Sequence, residues 1–490
     1  MNRILFTHSY FLSLDLKQKK AGNAYPPLGT LYAAALMRQH KFDVALFDSM
    51  LADSPYEIID HLQKHQPDYV VIYDDGFNYL TKMCLTNMRE AAFKMSSFAR
   101  QYGCKVIVCS SDSTDNCSLY LQNGADYVVL GEGEMSLLEL VEKLQNSNTV
   151  DDVPGIVFYK NNSLINTGRR AVIKNVDELP LPAWDLVDIE KYKALWKNKH
   201  GYFSLNLVGS RGCVFKCNWC AKPLFGNRYH ARSVESVVAE LKLLVDGFGA
   251  EHIWFCDDIF GIKTSWIKEF AELVVQENLQ FKFKIQSRAD LLLEKDAVKY
   301  LAMAGCDEVW IGAESGSQKI LDAMEKGTTV EQIYMSRMLL KKFGVKSAFF
   351  LQFGYPGETK EDIDATLKMI MDLMPDNIGI SVTYPLPGTK LFDTVKQQLK
   401  EKSNWTDSDE LAMMFTNTYP KEFYKILQRY VHSRYREKQS YSLLKKFFTT
   451  PAISSFSDLL RGMYGFYFSM NRLYKQTQLR KFGLAHEGNI

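Results

Sequence analysis

The chain is predicted to be α/β throughout most of its length: a doubly wound domain, then a partial barrel of six β/α units, then a mainly helical end. Two separate alternations of short apolar runs with helical stretches carry this expectation, one before residue 148 and one between residues 200 and 400. A proline-dense stretch between them, Leu179-Pro-Leu-Pro-Ala-Trp, suits neither helix nor central strand. The expected division is therefore 1–148, a linker at 149–199, 200–400 and 401–490. A chain of 490 residues has room for two or three such domains.

The first alternation comprises Arg3-Ile-Leu-Phe-Thr, Asp43-Val-Ala-Leu-Phe, Tyr69-Val-Val-Ile-Tyr, Lys105-Val-Ile-Val-Cys and Tyr127-Val-Val-Leu. Near-continuous apolar strands between helices indicate a parallel sheet covered on both faces. Ligands of such sheets sit beyond the carboxyl ends of the strands. The segments there are Asp74-Asp75-Gly76, Ser110-Ser111-Asp112-Ser113 and Gly131-Glu132-Gly133-Glu134, polar and glycine-rich. No Gly-x-Gly-x-x-Gly follows the first strand, so a dinucleotide is a poor fit. In the linker, Pro154-Gly155 opens a small strand or hairpin.

The second alternation has strand candidates at 203–208, 252–255, 281–286, 308–312, 348–353 and 378–383, with helical patterns such as 233–246 and 360–373 between them. Barrel chemistry gathers at the carboxyl ends of the strands. Those ends here carry a cysteine loop, Cys256-Asp257-Asp258, Ser287-Arg288, Glu314-Ser315-Gly316, Gly354-Tyr-Pro-Gly-Glu358 and Tyr384-Pro-Leu-Pro-Gly388. Each is weak alone; six in register are much stronger.

The cysteine loop is the most specific feature. Cys213, Cys217 and Cys220 form a C-x3-C-x2-C triplet. Three thiolates on one tight loop suit a four-iron, four-sulfur (4Fe-4S) cluster with one iron left open for a small molecule. The competing readings are a zinc site completed by a histidine such as His230, and cysteines that merely pack in the core. The other cysteines, Cys84, Cys104, Cys109, Cys117, Cys256 and Cys306, are scattered and supply no second pair.

Hydrophobic content of 46% and charged content of 24% are ordinary for globular chains. The amino-terminal apolar run is too short for a signal peptide, and no run approaches the roughly eighteen apolar residues of a membrane span. Nine cysteines without such a signal suit a reducing, cytoplasmic location. The net charge of +2 conceals an asymmetry: residues 421–490 carry +9 and fourteen Phe and Tyr, the preceding residues −7. A basic, aromatic end is compatible with a membrane surface, an anionic ligand or nucleic acid, and equally with a solvated helical cap whose aromatics lie in the core.

With these residues on the page, the chain resembles the radical S-adenosylmethionine (SAM) enzymes. It is most similar to their cobalamin-binding subclass, which includes methyltransferases and anaerobic porphyrin-ring cyclases. The resemblance covers about residues 1–400. It rests on the cysteine triplet, Gly312-Ala-Glu-Ser-Gly-Ser317, Gly354-Tyr-Pro-Gly-Glu358, Tyr384-Pro-Leu-Pro-Gly-Thr389, and a doubly wound domain ahead of the cysteines. It implies that Cys213, Cys217 and Cys220 hold the cluster and that its open iron chelates SAM. The protein then positions SAM and excludes water. Trp219 is expected beside the adenine, Asp257 and Asp258 at the SAM ammonium, Arg288 at its carboxylate, and Glu314 and Ser315 at the ribose. Gly354, Gly357 and Gly388 are expected to let the backbone approach the adenine, and Tyr384 is expected to bind SAM. Packing by Trp219, helix capping by Asp257 and Asp258, a salt bridge from Arg288 toward Asp290, and a turn at Glu314 and Ser315 are the plainer roles for the same residues.

For the amino-terminal domain the resemblance implies cobalamin. The corrin would face Tyr25-Pro26-Pro27-Leu28-Gly29, and Asp75 with Ser110, Ser111, Gly131, Glu132, Gly133 and Glu134 would line the cofactor. One departure is plain: Asp-x-His-x-x-Gly is absent, and Asp60-His61 lacks its spacing, so no histidine ligand is expected from that loop. The implied activity is methylation of an unactivated carbon, with a cyclase or ring-rearranging oxidoreductase as the alternative. A zinc-stabilised nucleic-acid-binding protein is the remote one. The implied partners are a small-molecule substrate, with a hydrophobic one such as a lipid or tetrapyrrole among the expected kinds, and an electron donor such as flavodoxin or ferredoxin. Nucleic acid is not expected, and the basic end leaves peripheral membrane contact open.

Overall fold

Each apolar run of the amino-terminal third becomes a strand: β1 (Arg3–Thr7), β2 (Asp43–Phe47), β3 (Tyr69–Tyr73), β4 (Lys105–Cys109) and β5 (Tyr127–Val129). The computed structural model describes residues 3–78, 81, 85–146, 149–220, 225–399, 404–449 and 456–482; Cys84 lies outside them. These five strands run parallel in the order β2-β1-β3-β4-β5. β3 is buried along its whole length, as a sheet covered on both faces requires. The order reverses between β1 and β3, the place where open α/β sheets form a crevice. Helix α1 (Leu28–Gln39) follows that crevice and is buried over ten of its twelve residues.

The hairpin expected near Pro154 is β6 (Ile156–Lys160) and β7 (Ser163–Asn166). It extends the same sheet antiparallel to β5, making seven strands. The rest of residues 149–199 is not a loose tether. Trp184 is buried and donates to Glu240 Oε1 at 3.1 Å. Helix α2 (Ile189–His200) buries Tyr192 and Trp196, whose indole N–H reaches the Ala24 carbonyl at 2.6 Å. Two buried tryptophans at such a junction each contribute about 2–3 kcal/mol of apolar burial.

The second alternation forms β8 (Ser204–Leu207), β11 (His252–Phe255), β12 (Lys282–Ser287), β13 (Cys306–Glu314), β14 (Lys346–Phe353) and β15 (Asn377–Val382). All are parallel, in chain order, with β8 and β15 at the two ends, so the wall is an open six-stranded arc. The two-residue strands β9 (Ser210–Arg211) and β10 (His230–Ala231) pair across the base of the cysteine loop. A continuous apolar cluster joins the barrel to one face of the amino-terminal sheet, while a second cluster fills the other face.

The carboxyl-terminal region is mainly helical: α3 (Lys421–Thr449) and α4 (Phe456–Arg480) form a hairpin. The first half of α3 seals the barrel edge with Phe423, Tyr424, Leu427, Val431 and Tyr435, and Tyr435 donates to the Pro375 carbonyl at 2.6 Å. Residues 404–415 cross between the halves. The Thr86 amide donates to the Trp405 carbonyl (2.8 Å), Ser408 Oγ to Asp15 Oδ1 (2.9 Å), and Trp405 packs edge-on to Tyr384 at 4.7 Å. No described helix is long and apolar enough to cross a membrane.

Candidate active site

At the carboxyl ends of the barrel strands lies a cavity of about 500 Å³. Cys213, Cys217, Cys220 and Trp219 form one wall. Asp257, Asp258, Arg288 and Glu314, each from the end of a different β/α unit except the paired aspartates, form the next. Tyr384 and Trp405 stand across from them, and Phe77 with Gln18 closes the side toward the amino-terminal sheet. The expected thiols and six of the expected SAM residues thus share one space. Eight described cysteines, these three included, form no disulfide. No three His, Cys, Asp or Glu side chains among the described residues are gathered around one point. His230 sits opposite Arg211 in the β9–β10 pair rather than on the cavity wall with the thiols.

Asn218, between Cys217 and Trp219, fixes the loop. Its amide donates to the Met324 carbonyl (3.1 Å) and its side chain to the Ala323 carbonyl (2.8 Å). Its side-chain oxygen accepts from Tyr355 Oη (3.0 Å), and its carbonyl from the Leu391 amide (2.9 Å). Three separate segments therefore hold the residue that orients two thiols. Tyr355 belongs to Gly354-Tyr-Pro-Gly-Glu358, so that motif supports the cysteines from behind.

Asp257 is buried, accepting from the Gly209 amide at 3.0 Å and from Ser210 Oγ; burial pushes its carboxyl up to about 7. Arg288 makes the plainer contact. Nε and Nη2 grip Asp290 at 3.0 Å each, while Nη1 and Nη2 donate to the carbonyls of Lys326 (2.7 Å) and Gly327 (3.2 Å). Its guanidinium stacks 3.7 Å from the Phe215 ring centre, beneath the cysteine loop. Of five N–H donors four are used, leaving one on Nη1 beside the cavity.

Glu314 ends β13 with φ +58, a left-handed conformation that costs a non-glycine residue about 1–3 kcal/mol. A register shift between Gly312 and Glu314 accompanies it. The conformation points Glu314 at Lys326, with Nζ 2.9 Å from Oε1; both side chains are buried. Lys326 also stands 5.9 Å from the Trp219 ring, and Glu314 and Cys217 together offset its burial and keep its ammonium favoured. Ser315, Gly354, Gly357 and Gly388 lie off the cavity wall. Ser315 bonds Thr366 Oγ1 (3.1 Å) and the Ser317 amide (3.1 Å), a turn. Gly354, at φ +80, donates its amide to Glu358 Oε2 at 2.7 Å; a side chain there would meet Met413 and Tyr424.

A second, smaller cleft opens beyond β3, β4 and β5, bordered by Gly29, Ser110, Ser111, Gly131, Glu132 and Glu134, with Phe77 and Phe225. Asp75 stands behind it, spending Oδ1 on the amides of Gly29 (3.1 Å) and Phe77 (3.0 Å). Pro27 caps the start of α1. Gly133 is required by close packing, since a Cβ would sit 2.5 Å from Cys109 Sγ. Ser110 caps the helix after β4 by accepting from the Ser113 amide (2.8 Å). His61 lies elsewhere, on the helix Ile58–His65 against Phe47.

Phe77 borders both spaces, and Arg211, two residues before Cys213, packs against it and holds two carboxylates of the second cleft. Nη1 is 2.6 Å from Glu132 and 2.9 Å from Glu134, all three side chains at most 4% exposed. Tyr32, Phe77 and Phe225 surround its guanidinium at 5.3–5.5 Å. Burial alone would lower Arg211, but Glu134 and Glu132 more than offset it, raising it above its ordinary value. Arg211 Nε and Nη2 and Glu134 Oε2 are buried without a hydrogen-bond partner. Arg211, Asn218 and Lys326 were all missed from sequence; Asn218's place inside the cysteine triplet and Arg211's just before it were the available signals.

A parallel arc with three loop thiols at its carboxyl end, behind a doubly wound domain, defines an iron–sulfur type of α/β enzyme. Comparison agrees. Residues 207–370 match the Radical SAM superfamily. An uncharacterized methyltransferase of Pyrococcus horikoshii is 31% identical over 395 residues, covering 79% of this chain and 82% of that protein. The anaerobic magnesium-protoporphyrin IX monomethyl ester cyclase of Rubrivivax gelatinosus is 28% identical over 360 residues, 69% of this chain and 64% of its own length. The fold is shared with the methyltransferase TsrM of Kitasatospora setae, solved with cobalamin and a [4Fe-4S] cluster, at TM-score 0.66 and 18% identity over 81% of this chain and 75% of that one. The chain belongs to the radical SAM superfamily and is an enzyme of that family.

Proposed function

We propose that this chain is a cobalamin-dependent radical SAM methyltransferase acting on an unactivated carbon of a small molecule. The single observation that carries the reading is one cavity walled by Cys213, Cys217 and Cys220 and bordered by Phe77 of the doubly wound domain. Residues 1–148 and 200–400 would then be the cobalamin and radical domains. When bound, the cluster supplies the electron that converts SAM to a 5′-deoxyadenosyl radical, and cobalamin carries the methyl group.

The residues fit these groups. The three thiols would hold the cluster, with Asn218 fixing their loop. Trp219 and Tyr384 offer faces for the adenine. Asp257 and Asp258 together present carboxylates for the SAM ammonium, Asp257 held in place by Gly209 and Ser210. The remaining Arg288 N–H and Lys326 answer the SAM carboxylate, and Glu314 the ribose hydroxyls. Ser315 and Gly354 act by shaping the backbone. In the second cleft, the unmet donors of Arg211 and the unmet acceptor of Glu134 suit a corrin, whose primary amides both donate and accept. Gly29, Ser110, Ser111, Gly131, Glu132 and Gly133 would approach it, with Pro27 and Asp75 shaping the wall. The aromatic lining excludes water from a reactive radical. An electron donor of the flavodoxin or ferredoxin kind is required.

Anaerobic reconstitution tests this. Four irons and sulfides per chain, a bound corrinoid spectrum and SAM-dependent release of 5′-deoxyadenosine are expected, and all cluster signal should vanish in the triple Cys-to-Ser variant. Zinc without sulfide would refute it. The relative that is a cyclase supports one second reading; product forming without S-adenosylhomocysteine would favour ring closure over methyl transfer.

A further inference from the structure

The inner and outer faces of α4 differ sharply. Inward, Gly462 fits against Leu444 and Gly465 against Tyr441, so α4 approaches α3 closely. Ser469 and Arg472 both bond Glu437. The inner contacts are satisfied. Outward, Phe456, Leu460, Met463, Tyr467, Met470 and Tyr474 fall at i, i+4, i+7, i+11, i+14 and i+18. That spacing puts all six on one narrow stripe. They are 47–70% exposed, and the stripe runs about 27 Å at 1.5 Å per residue. Phe448, at the end of α3, is 74% exposed and continues the apolar surface toward the turn of the hairpin.

A stripe this long and this aromatic is far more than scattered surface apolarity. The hairpin around it is cationic: between Gln439 and Phe482 the sequence holds seven Lys or Arg, of which Arg472 is paired inward with Glu437, and one Asp. The Lys475 ammonium lies over the Tyr474 ring, 4.8 Å from its centre. Amphipathic helices with Phe, Tyr and Met on one side and Lys and Arg beside it lie in the interface of anionic bilayers. Because no described helix is apolar enough to cross, the arrangement is one of lying on, not spanning.

We propose that the α3–α4 hairpin is a membrane-docking surface that seats the α4 stripe in the headgroup region of an anionic bilayer. The inference is independent of the chemistry proposed above. The full-length chain is sedimented with phosphatidylcholine vesicles and with vesicles carrying roughly one-third phosphatidylglycerol. Expected is at least about ten-fold tighter binding to the anionic vesicles, weakened several-fold on raising salt from about 0.05 to about 0.5 M. The variant Met463→Gln/Tyr467→Gln/Met470→Gln should lose at least about ten-fold in vesicle binding while melting as the parent does, since the stripe touches no core. Lys445→Glu/Arg461→Glu, which leaves the stripe intact, should lose the preference for anionic lipid. Parent protein that stays in the supernatant with anionic vesicles overturns the proposal. So does a stripe variant that binds them like the parent, or one whose only change is from dimer to monomer by light scattering.

Discussion

Replacing Arg211 by Met removes a buried cation from between two buried carboxylates. Glu132 and Glu134 lie 2.6 and 2.9 Å from Nη1 at 4% and 3% exposure, too dry for water to replace the guanidinium. Burial already raises the Glu132 carboxyl, Arg211 opposes this, and Glu134 adds to it. Without Arg211, burial and Glu134 are opposed only by the hydrogen bond from the Ile173 amide. Breaking a buried pair at one end costs about 3–5 kcal/mol. Carboxyl groups raised in the folded state bind protons there that the unfolded chain releases. The deficit should therefore be largest near pH 8 and shrink toward pH 5 as Glu132 is protonated. Urea unfolding followed by tryptophan fluorescence measures it, because Trp184 and Trp196 sit at the same junction. Arg211→Met/Glu132→Gln/Glu134→Gln removes the stranded charges and should recover at least half the loss. A single variant within about 1 kcal/mol of the parent at pH 8, or a deficit flat between pH 5 and 8, would refute the reasoning.

Glu358 is buried, with its carboxyl raised to about 8 by burial. Stability should fall as pH rises from the unfolded carboxyl range through about 8, and Glu358→Gln should flatten that fall by on the order of 3 kcal/mol in pH-stepped denaturation. Lys326→Met strands Glu314 and should cost about 3 kcal/mol by denaturant titration, with Lys326→Met/Glu314→Gln recovering most of it. Gly133→Ala drives a methyl to 2.5 Å from Cys109 Sγ and should cost about 1–3 kcal/mol in the same assay; an unchanged midpoint would show that the wall yields freely.

The barrel was legible because its strands are written as uninterrupted apolar runs, and His252–Phe255 and Lys360–Leu373 fall where periodicity puts them. The cysteine loop was legible because its ligands are close in sequence. Lys326 was not, because it reaches Glu314 only after a turn of chain folds back over β13. Arg211 was not, because its partners come from a different domain and a lone arginine has no period. The carboxyl-terminal aromatics divide in a way that composition cannot resolve: Phe423, Tyr424 and Tyr435 enter the core, while Phe456, Tyr467 and Tyr474 do not. Residues 149–199 contain prolines, which mark irregular chain, and tryptophans, which here mark a packed junction.

The crossing segment 404–415 has a temporal consequence. It is hydrogen-bonded to the amino-terminal half at Thr86 and Asp15, and Trp405 presses on Tyr384 of the other half. A bulky guest held between the halves would have to wait for this stitch to open before leaving, whereas a small one need not.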